Sequence, residues 1–343
     1  MKRNKSILSF ILSFIMLGAL SGCGVKGNKE LSEVKIAYFP NITHSQALLE
    51  KEDGSLQKAL GNKIKVNWQK FNAGSSEVEA FLAGEVDIGY IGPGPAINGY
   101  TKSKGEMQVI AGGADAAAIL VSRKDSNIKS VKDLSGKKVA IPQFGNTQDL
   151  SLRILLDQNG LKDKTKGGTV EIVQAENPDI KTLLDKGSID AALVPEPWGS
   201  RLVKEVGAKV VLDYDKVWKN GKYPTAVVVA RKDFIKNHSD IVEKFLKIHI
   251  QKTKSINENT AKTEDAINKE LKEITGKTLD KDILDSSFKR IKVTNNPEKE
   301  AISDMANWSL KEGFIKKKAD LKDMFDFNIL NKILKSQGES EIN

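Results

Sequence analysis

The chain has 343 residues, with 54 Lys or Arg against 45 Asp or Glu and a formal net charge of +9. Its single cysteine, Cys23, excludes an internal disulfide and a cysteine-based metal cluster. The basic residues are spread along the chain without interleaved aromatic residues, which argues against a nucleic-acid surface, so no nucleic-acid partner is predicted.

The first residues have the organisation of a secretory signal. Basic residues precede an apolar run over residues 7–20, which is shorter than the ~20 residues that a spanning helix needs but typical of a signal core. The run ends in LSGC, which resembles the lipobox of bacterial lipoproteins. We therefore predict a signal peptide over residues 1–22, lipidation of Cys23, and a polar, lipid-anchored linker over residues 23–33.

From Val34 to Arg231, short β-rich runs alternate with amphipathic stretches. This alternation is typical of βαβ units and predicts an α/β fold with largely parallel sheets. The predicted strands are VKIAYF, KIKVNWQKF, VDIGYIG, MQVIAGG, AAILVSRK, KKVAIP, TVEIVQA, AALVPE, KVVLD and TAVVVAR. The predicted helices span residues 44–52, 75–83, 96–104, 147–158, 179–186 and 198–206, and the chain after Lys232 is predicted to be helical to its end.

A short internal repeat supports two similarly built halves. The segment FLAGEVDIGYIGPGPA, from Phe81, resembles LLDKGSIDAALVPEPW, from Leu183. In each, a glycine (Gly84 or Gly187) fits the position after a helix where a positive φ is needed. A short strand then runs into a Pro-x-Pro turn. Loops at the carboxyl ends of strands are where ligands bind in open α/β sheets.

Four loops follow predicted strands and open predicted helices: PNITHS, NAGSSE, GPGPA and PQFGNTQD. A helix N-terminus presents unpaired N–H groups and a partial positive charge, which favour an anion. Each loop alone is as well explained by helix capping, but the four together indicate a site. We expect Asn41 to Ser45 both to cap a helix and to face this site, with His44 as a hydrogen-bond donor. Because the three histidines are widely separated, no metal or cofactor is predicted.

The stretch PEPW is the most ambiguous candidate. Glu196 and Trp198 would supply a carboxylate and an aromatic wall to the site. The alternatives are an exposed glutamate, one paired with a cation such as Arg201, and a core tryptophan. No nucleophile elbow or phosphate-binding loop occurs in the sequence, so we predict that the protein is not an enzyme.

Taken together, the lipobox, YFPNITHSQAL, FNAGSSEVEAFLAGEVDIGYIGPGPAIN, DLSGKKVAIPQFGNTQD and LVPEPWGSRLV resemble the substrate-binding proteins of ABC importers. Within them the chain looks like the aliphatic sulfonate, taurine and nitrate group. The resemblance implies a two-lobed α/β periplasmic-binding-protein fold of type II, with two parallel-rich sheets flanked by helices and a ligand cleft between the lobes. Lobe 1 would comprise residues 34–121 plus 231–343 and lobe 2 residues 122–230, with hinges at the two crossings.

The resemblance also implies a function. The protein would be a monomeric lipoprotein, anchored through Cys23 on the extracytoplasmic face of the cell membrane. It would capture a small anionic organic ligand, an aliphatic sulfonate, and deliver it to the permease and ATPase subunits. The alternatives are nitrate, a thiamin-precursor pyrimidine, or an enzyme of the same fold, against which the export signal argues. The implied substrate-binding residues are Asn41, Thr43, His44, Ser75, Gly92, Pro93, Gly94, Gln143, Asn146, Thr147, Glu196 and Trp198.

Overall fold

The strands of the protein form two mixed sheets in a computed structural model that describes residues 31–343. The predicted signal peptide and Cys23, with most of the linker, lie outside the described residues. The strands are β1 (Glu33–Tyr38), β2 (Lys65–Lys70), β3 (Ile88–Ile91), β4 (Met107–Ala116), β5 (Ala118–Ser122), β6 (Lys138–Ile141), β7 (Glu171–Gln174), β8 (Ala191–Pro195), β9 (Lys209–Leu212), β10 (Pro224–Arg231) and β11 (Ile291–Val293). The first sheet has the order β11-β4-β10-β3-β1-β2 and the second β7-β6-β8-β5-β9.

Helices flank the sheets and make up most of the region after β10. They are α1 (Ser45–Asp53), α2 (Ser55–Leu60), α3 (Gly74–Leu82), α4 (Pro93–Lys102), α5 (Thr147–Gln158), α6 (Asn177–Asp185), α7 (Trp198–Val206), α8 (Tyr214–Val217), α9 (Lys232–Asn237), α10 (Ser239–Glu258), α11 (Thr260–Thr275), α12 (Lys281–Phe288), α13 (Lys299–Lys311) and α14 (Asn328–Ser336). Short 3-10 turns lie at Ile42–His44, Val131–Leu134, Lys164–Lys166 and Lys219–Gly221. The predicted α/β alternation is confirmed, and the bounds of α5 and α7 match the prediction.

The expectation of a wholly helical C-terminal region is wrong in one element. Strand β11 follows α12 and pairs antiparallel with β4 at the edge of the first sheet. Its three residues are too few to produce a recognisable alternation of apolar and polar side chains. The strand forms because β4, which is buried along its whole length, offers it an unpaired edge.

The internal repeat is present in the structure. Gly84 and Gly187 follow α3 and α6 with φ values of 75° and 71°. The carboxylates of Asp87 and Asp190, three residues further on, accept a backbone N–H from the adjacent strand, β1 or β6, at 2.8 and 2.9 Å. In each sheet a parallel trio, β2-β1-β3 or β7-β6-β8, is thus fixed by the same contact. The remaining pairings are antiparallel, so the sheets are mixed rather than uniformly parallel.

The chain changes sheets at places other than the predicted crossings near residues 122 and 230. It leaves the first sheet at Ala117, between β4 and β5, and returns between β9 and β10. The lobe boundaries predicted from the sequence keep β5 with β4 and β10 with β9, because an apolar run does not reveal which strand it pairs with. Ala116 and Ala117 both have left-handed φ values, 62° and 60°. Their N–H groups are held by backbone carbonyls of Tyr223 and Arg290. The division into two mobile lobes stays a prediction.

Candidate functional site

A small cavity lies where loops from the two sheets meet. Its volume is about 30 Å³, which is room for about two water molecules at ~10–15 Å³ each. Its walls are formed by Phe39, Asn41, Thr43, His44, Asn72, Ala73, Gly74, Gly92, Pro95, Pro142, Asn146, Thr147, Gln148, Asn177, Pro195 and Thr225. Among these described residues there is no Asp, Glu, Lys or Arg, so the cavity is polar but carries no fixed side-chain charge.

The loop after β1 supplies one wall. Pro40 ends the strand, and a single 3-10 turn at Ile42–His44 leads directly into α1. Neither Asn41 nor His44 makes a side-chain capping bond to the helix that follows it, so the expected capping role is wrong for both. Asn41 instead accepts a hydrogen bond through Oδ1 from the indole Nε1–H of Trp198 at 3.0 Å. This bond joins the first sheet's loop to the second sheet's α7.

The imidazole of His44 is held in one tautomer. Its Nδ1 accepts the backbone N–H of Phe39 at 3.1 Å, so the neutral ring carries its hydrogen on Nε2. The ring stacks on Phe39 with centroids 4.5 Å apart and is only 1% exposed. This burial lowers the pKa of His44 to about 3. At physiological pH the ring is therefore neutral, and a hydrogen bond from His44 to a ligand would come from its Nε2–H.

The loops that open α4 and α5 touch each other across the two sheets. The N–H of Gly94 donates to Thr147 Oγ1 at 3.3 Å. A Cβ placed on Gly92 would lie 2.3 Å from the same oxygen, so this approach requires glycine. Asn146 caps α5 by accepting the N–H of Asp149 at 2.8 Å and also lines the cavity. Asn146 is therefore both the N-cap of α5 and part of the cavity wall.

The loop that opens α3 contacts the α5 loop beside the cavity. The N–H of Ser75 donates to Gln143 Oε1 at 3.0 Å, and Ser75 Oγ donates to the carbonyl of Phe144 at 3.3 Å. Neither Ser75 nor Gln143 lines the cavity. Their polar groups are used in holding two loops together.

Glu196 lies outside the cavity, contrary to its expected role as a ligand group. Its carboxylate is fully buried and accepts the Ser200 N–H at 2.9 Å and the Ser287 hydroxyl at 3.1 Å. Arg290 Nη1 lies 3.3 Å from its other oxygen. Burial raises the pKa of Glu196, while Ser200 and Arg290 oppose that shift. Sequence reasoning missed this pairing because Arg290 is 94 residues away in the chain.

Six of the predicted site residues line the cavity and six do not. Those in the walls are Asn41, Thr43, His44, Gly92, Asn146 and Thr147; those outside them are Ser75, Pro93, Gly94, Gln143, Glu196 and Trp198. Sequence reasoning missed four polar residues of the walls: Asn72, Gln148, Asn177 and Thr225. Asn72 and Gln148 lie within two of the predicted loops, NAGSSE and PQFGNTQD. Asn177 and Thr225 come from other connections, and only the tertiary structure brings them in.

Two further properties bear on function. In residues 31–343, no group of three or more His, Cys, Asp or Glu side chains is arranged to hold a metal ion. None of the helices in that range is long and apolar enough to cross a membrane.

Known binding proteins resemble the chain in sequence. A putative aliphatic sulfonates-binding protein of Bacillus subtilis is 27% identical over 330 residues, covering 92% of this chain and 93% of that protein. The taurine-binding periplasmic protein of Escherichia coli is 33% identical over 215 residues, covering 62% of this chain and 63% of that one.

Solved structures show the same fold. The alkanesulfonate-binding protein SsuA from Xanthomonas axonopodis pv. citri, bound to MOPS, superposes with a TM-score of 0.72 at 17% identity, covering 86% of this chain and 98% of that one. The described part of the chain therefore has a periplasmic-binding-protein fold. Residues 27–269, more than half of the chain, match the NMT1-like family. The chain belongs to the NMT1-like family.

Proposed function

We propose that the protein is the extracytoplasmic substrate-binding lipoprotein of an ABC importer and that its ligand is an aliphatic sulfonate. The observation that carries the proposal is the uncharged, donor-rich lining of the cavity between the two sheets. A sulfonate stays ionised at every physiological pH, so its site needs no titrating partner. Relatives named for sulfonate and taurine binding support the same ligand class.

The donors are of the right kind for three sulfonate oxygens. Thr43 and Thr147 bring hydroxyl groups, and the neutral ring of His44 brings an N–H donor. Helices α3, α4 and α5 begin at the cavity, and their N-termini add a partial positive potential. Each charge-assisted hydrogen bond to the anion contributes ~1.5–3 kcal/mol.

The cavity disfavours the pyrimidine alternative. A pyrimidine ring would need aromatic faces free to stack on it. Among the described wall residues, the aromatic rings are Phe39 and His44, and these stack on each other. With room for about two water molecules, the cavity suits an anionic head group better than a planar ring. Nitrate, which needs the same donors and no carbon tail, remains the second candidate ligand.

Export and partners follow from the same proposal. Lipidation of Cys23 would hold the protein on the outer face of the cytoplasmic membrane, and a permease with its ATPase would receive the ligand. The protein would bind its ligand without chemical change, as a monomer.

Thermal unfolding of the chain from residue 23, with Cys23 replaced by serine, tests the ligand. The panel is taurine, alkanesulfonates, nitrate, sulfate and a thiamin-precursor pyrimidine. A ligand at 100 times its Kd adds ~2.7 kcal/mol to the free energy of unfolding and raises the Tm by a few degrees. A shift with sulfonates alone supports the proposal. A Tm shift with only nitrate or only the pyrimidine reassigns the ligand. The absence of a Tm shift with every compound refutes the sulfonate assignment.

A further inference from the structure

One buried carboxylate holds the loop before α5 in place. Asp149, in the first turn of α5, is 0% exposed. Its Oδ2 accepts the N–H of Gly145 at 2.9 Å, and its own N–H donates to Asn146 Oδ1 at 2.8 Å. Gly145 adopts a left-handed φ of 75° there. Asp149 therefore fixes both of the residues that lead from the loop into the helix.

This arrangement determines which end of the Asn146 amide is available to a ligand. The N–H of Asp149 is a donor, so the end of the amide that faces it must be the oxygen. The NH₂ group then points away from Asp149, and it makes no hydrogen bond to any residue that the structure describes. Because Asn146 lines the cavity, its NH₂ group is a donor for an anion held there.

Arg153, one turn further along α5, supplies the charge that keeps this carboxylate in place. Its Nε donates to Asp149 Oδ1 at 2.8 Å, and its Nη1 donates to Asp163 Oδ2 at 3.1 Å. The side chain of Arg153 is buried, and its guanidinium lies 5.5 Å from the centre of the Phe314 ring. Burial raises the pKa of Asp149, and the neighbouring Arg153 opposes that rise. The guanidinium thus stabilises the ionised carboxylate that holds the loop.

The network does more than cap a helix. Asn146 alone supplies the side-chain acceptor that a helix N-terminus needs. A buried carboxylate is costly unless a cation is paired with it, and the additional contact that Asp149 makes is to Gly145, in the cavity loop. Without Arg153, an unpaired negative charge would also lie behind a site that is proposed to hold an anion.

We propose that Arg153 is a positioning residue for the ligand site. Through Asp149 it holds Gly145 and Asn146 so that the Asn146 NH₂ group faces the cavity, and it neutralises the carboxylate behind the anion. The inference rests on the proposed function, because it assigns a role in anion binding to a residue that does not line the cavity. Replacing Arg153 should therefore weaken ligand binding although no contact to the ligand is removed.

Titration calorimetry with ethanesulfonate tests the inference on the chain from residue 23 with Cys23 replaced by serine, which contains the whole compact unit Ser32–Asn343. Arg153→Met removes the charge and keeps most of the length of the side chain. We expect its Kd to rise about tenfold or more, which is the value of one charge-assisted hydrogen bond. A Kd within twofold of the natural chain would overturn the positioning role.

Arg231→Met is the matched control. Arg231 Nη2 bonds Asp87 at 3.0 Å, and Asp87, like Asp149, is a buried carboxylate that accepts a backbone N–H. Asp87 lies just before β3, whereas the cavity residue Gly92 follows that strand. We expect this variant to lower the Tm and to leave the Kd within twofold. An equal loss of affinity in both variants would show a general effect of lost stability and would overturn the assignment.

A double variant shows whether Arg153 acts through Asp149. Asparagine at position 149 keeps an acceptor for the Gly145 N–H but carries no charge, so it needs no cation beside it. We expect Asp149→Asn combined with Arg153→Met to bind ethanesulfonate at least about threefold more tightly than Arg153→Met alone. No recovery of affinity would contradict the route through Asp149.

The amide signal of Gly145 in NMR spectra of the ligand-free protein reports the loop without any ligand. The hydrogen bond to Asp149 protects this N–H from exchange with solvent. We expect the protection to be lost in Arg153→Met, or in Arg153→Gln should the methionine variant fail to fold, and to be kept in Arg231→Met. Unchanged protection would overturn the positioning role. Absence of ethanesulfonate binding by the natural chain overturns the sulfonate proposal, and the exchange measurement then decides the positioning of the loop.

Discussion

Replacing Glu196 by glutamine separates a structural role from a ligand-binding one. The carboxylate is fully buried and receives hydrogen bonds from Ser200 and Ser287 and an ion pair from Arg290. Arg290 also bonds Asp213 at 2.6 Å through Nε. These contacts fasten the strand end at β8 to the segment between α12 and β11. Glutamine keeps the size and one acceptor but turns an N–H₂ group toward the guanidinium.

The expected loss of stability is limited because Arg290 keeps a second acidic partner, Asp213. Removing one partner of a buried ion pair costs ~3–5 kcal/mol when the other charge is left alone. Here Arg290 keeps Asp213 and its side chain is 16% exposed, so we expect a loss of about 2–3 kcal/mol. At ~2.1 cal/mol/K of unfolding entropy per residue, this lowers the Tm by about 3–5 °C.

Calorimetric unfolding measures the Tm, and titration of the same samples with ethanesulfonate measures the Kd. We expect the Glu196→Gln protein to unfold earlier and to bind ethanesulfonate with a Kd within twofold of the natural chain. Asp213→Asn is the matched control: Asp213 is 43% exposed, so its loss should cost only ~0–1 kcal/mol. An unchanged Tm together with a tenfold or greater loss of affinity would refute the structural role and return Glu196 to the ligand site.

Three other predictions concern the cavity and the core. Because burial holds the pKa of His44 at about 3, sulfonate affinity should be constant from pH 5 to 8; calorimetry that finds tighter binding below pH 6.5 would show a protonated ring on the anion. Gly92→Ala places a methyl group 2.3 Å from Thr147 Oγ1 and should weaken sulfonate binding at least tenfold, as measured by calorimetry. Equal affinity would show that the loops need not approach so closely. Burial raises the pKa of Glu50, which bonds Tyr90 in the core, to about 8. The folded protein is therefore more stable with Glu50 protonated, and this stability is lost as pH rises from about 4.5 through 8. In Glu50→Gln, the free energy of unfolding by denaturant should depend less on pH between pH 6.5 and 8.5. An unchanged pH dependence would contradict the assignment.

The local order of elements was readable from the sequence because it depends on near neighbours. The apolar run of β1 stops at Pro40, and Gly84 and Gly187 mark helix ends where a positive φ is needed. The repeat that contains those glycines predicted two similarly built sheets. The loops predicted between strands and helices contain the six expected site residues that line the cavity. Periodicity and turn chemistry act over a few residues, so one sequence suffices to read them.

Pairing partners and side-chain destinations required the tertiary structure. The place where the chain changes sheets, at Ala117, depends on which distant strand offers a free edge. Glu196 faces Arg290 rather than a ligand, and Asn41 bonds Trp198 rather than capping its helix. Local patterns along the chain were enough to predict the α/β class, the repeat and the loops that reach the site. Which side chains of those loops face the cavity could be seen only in the folded protein, because contacts between segments far apart in the chain position them.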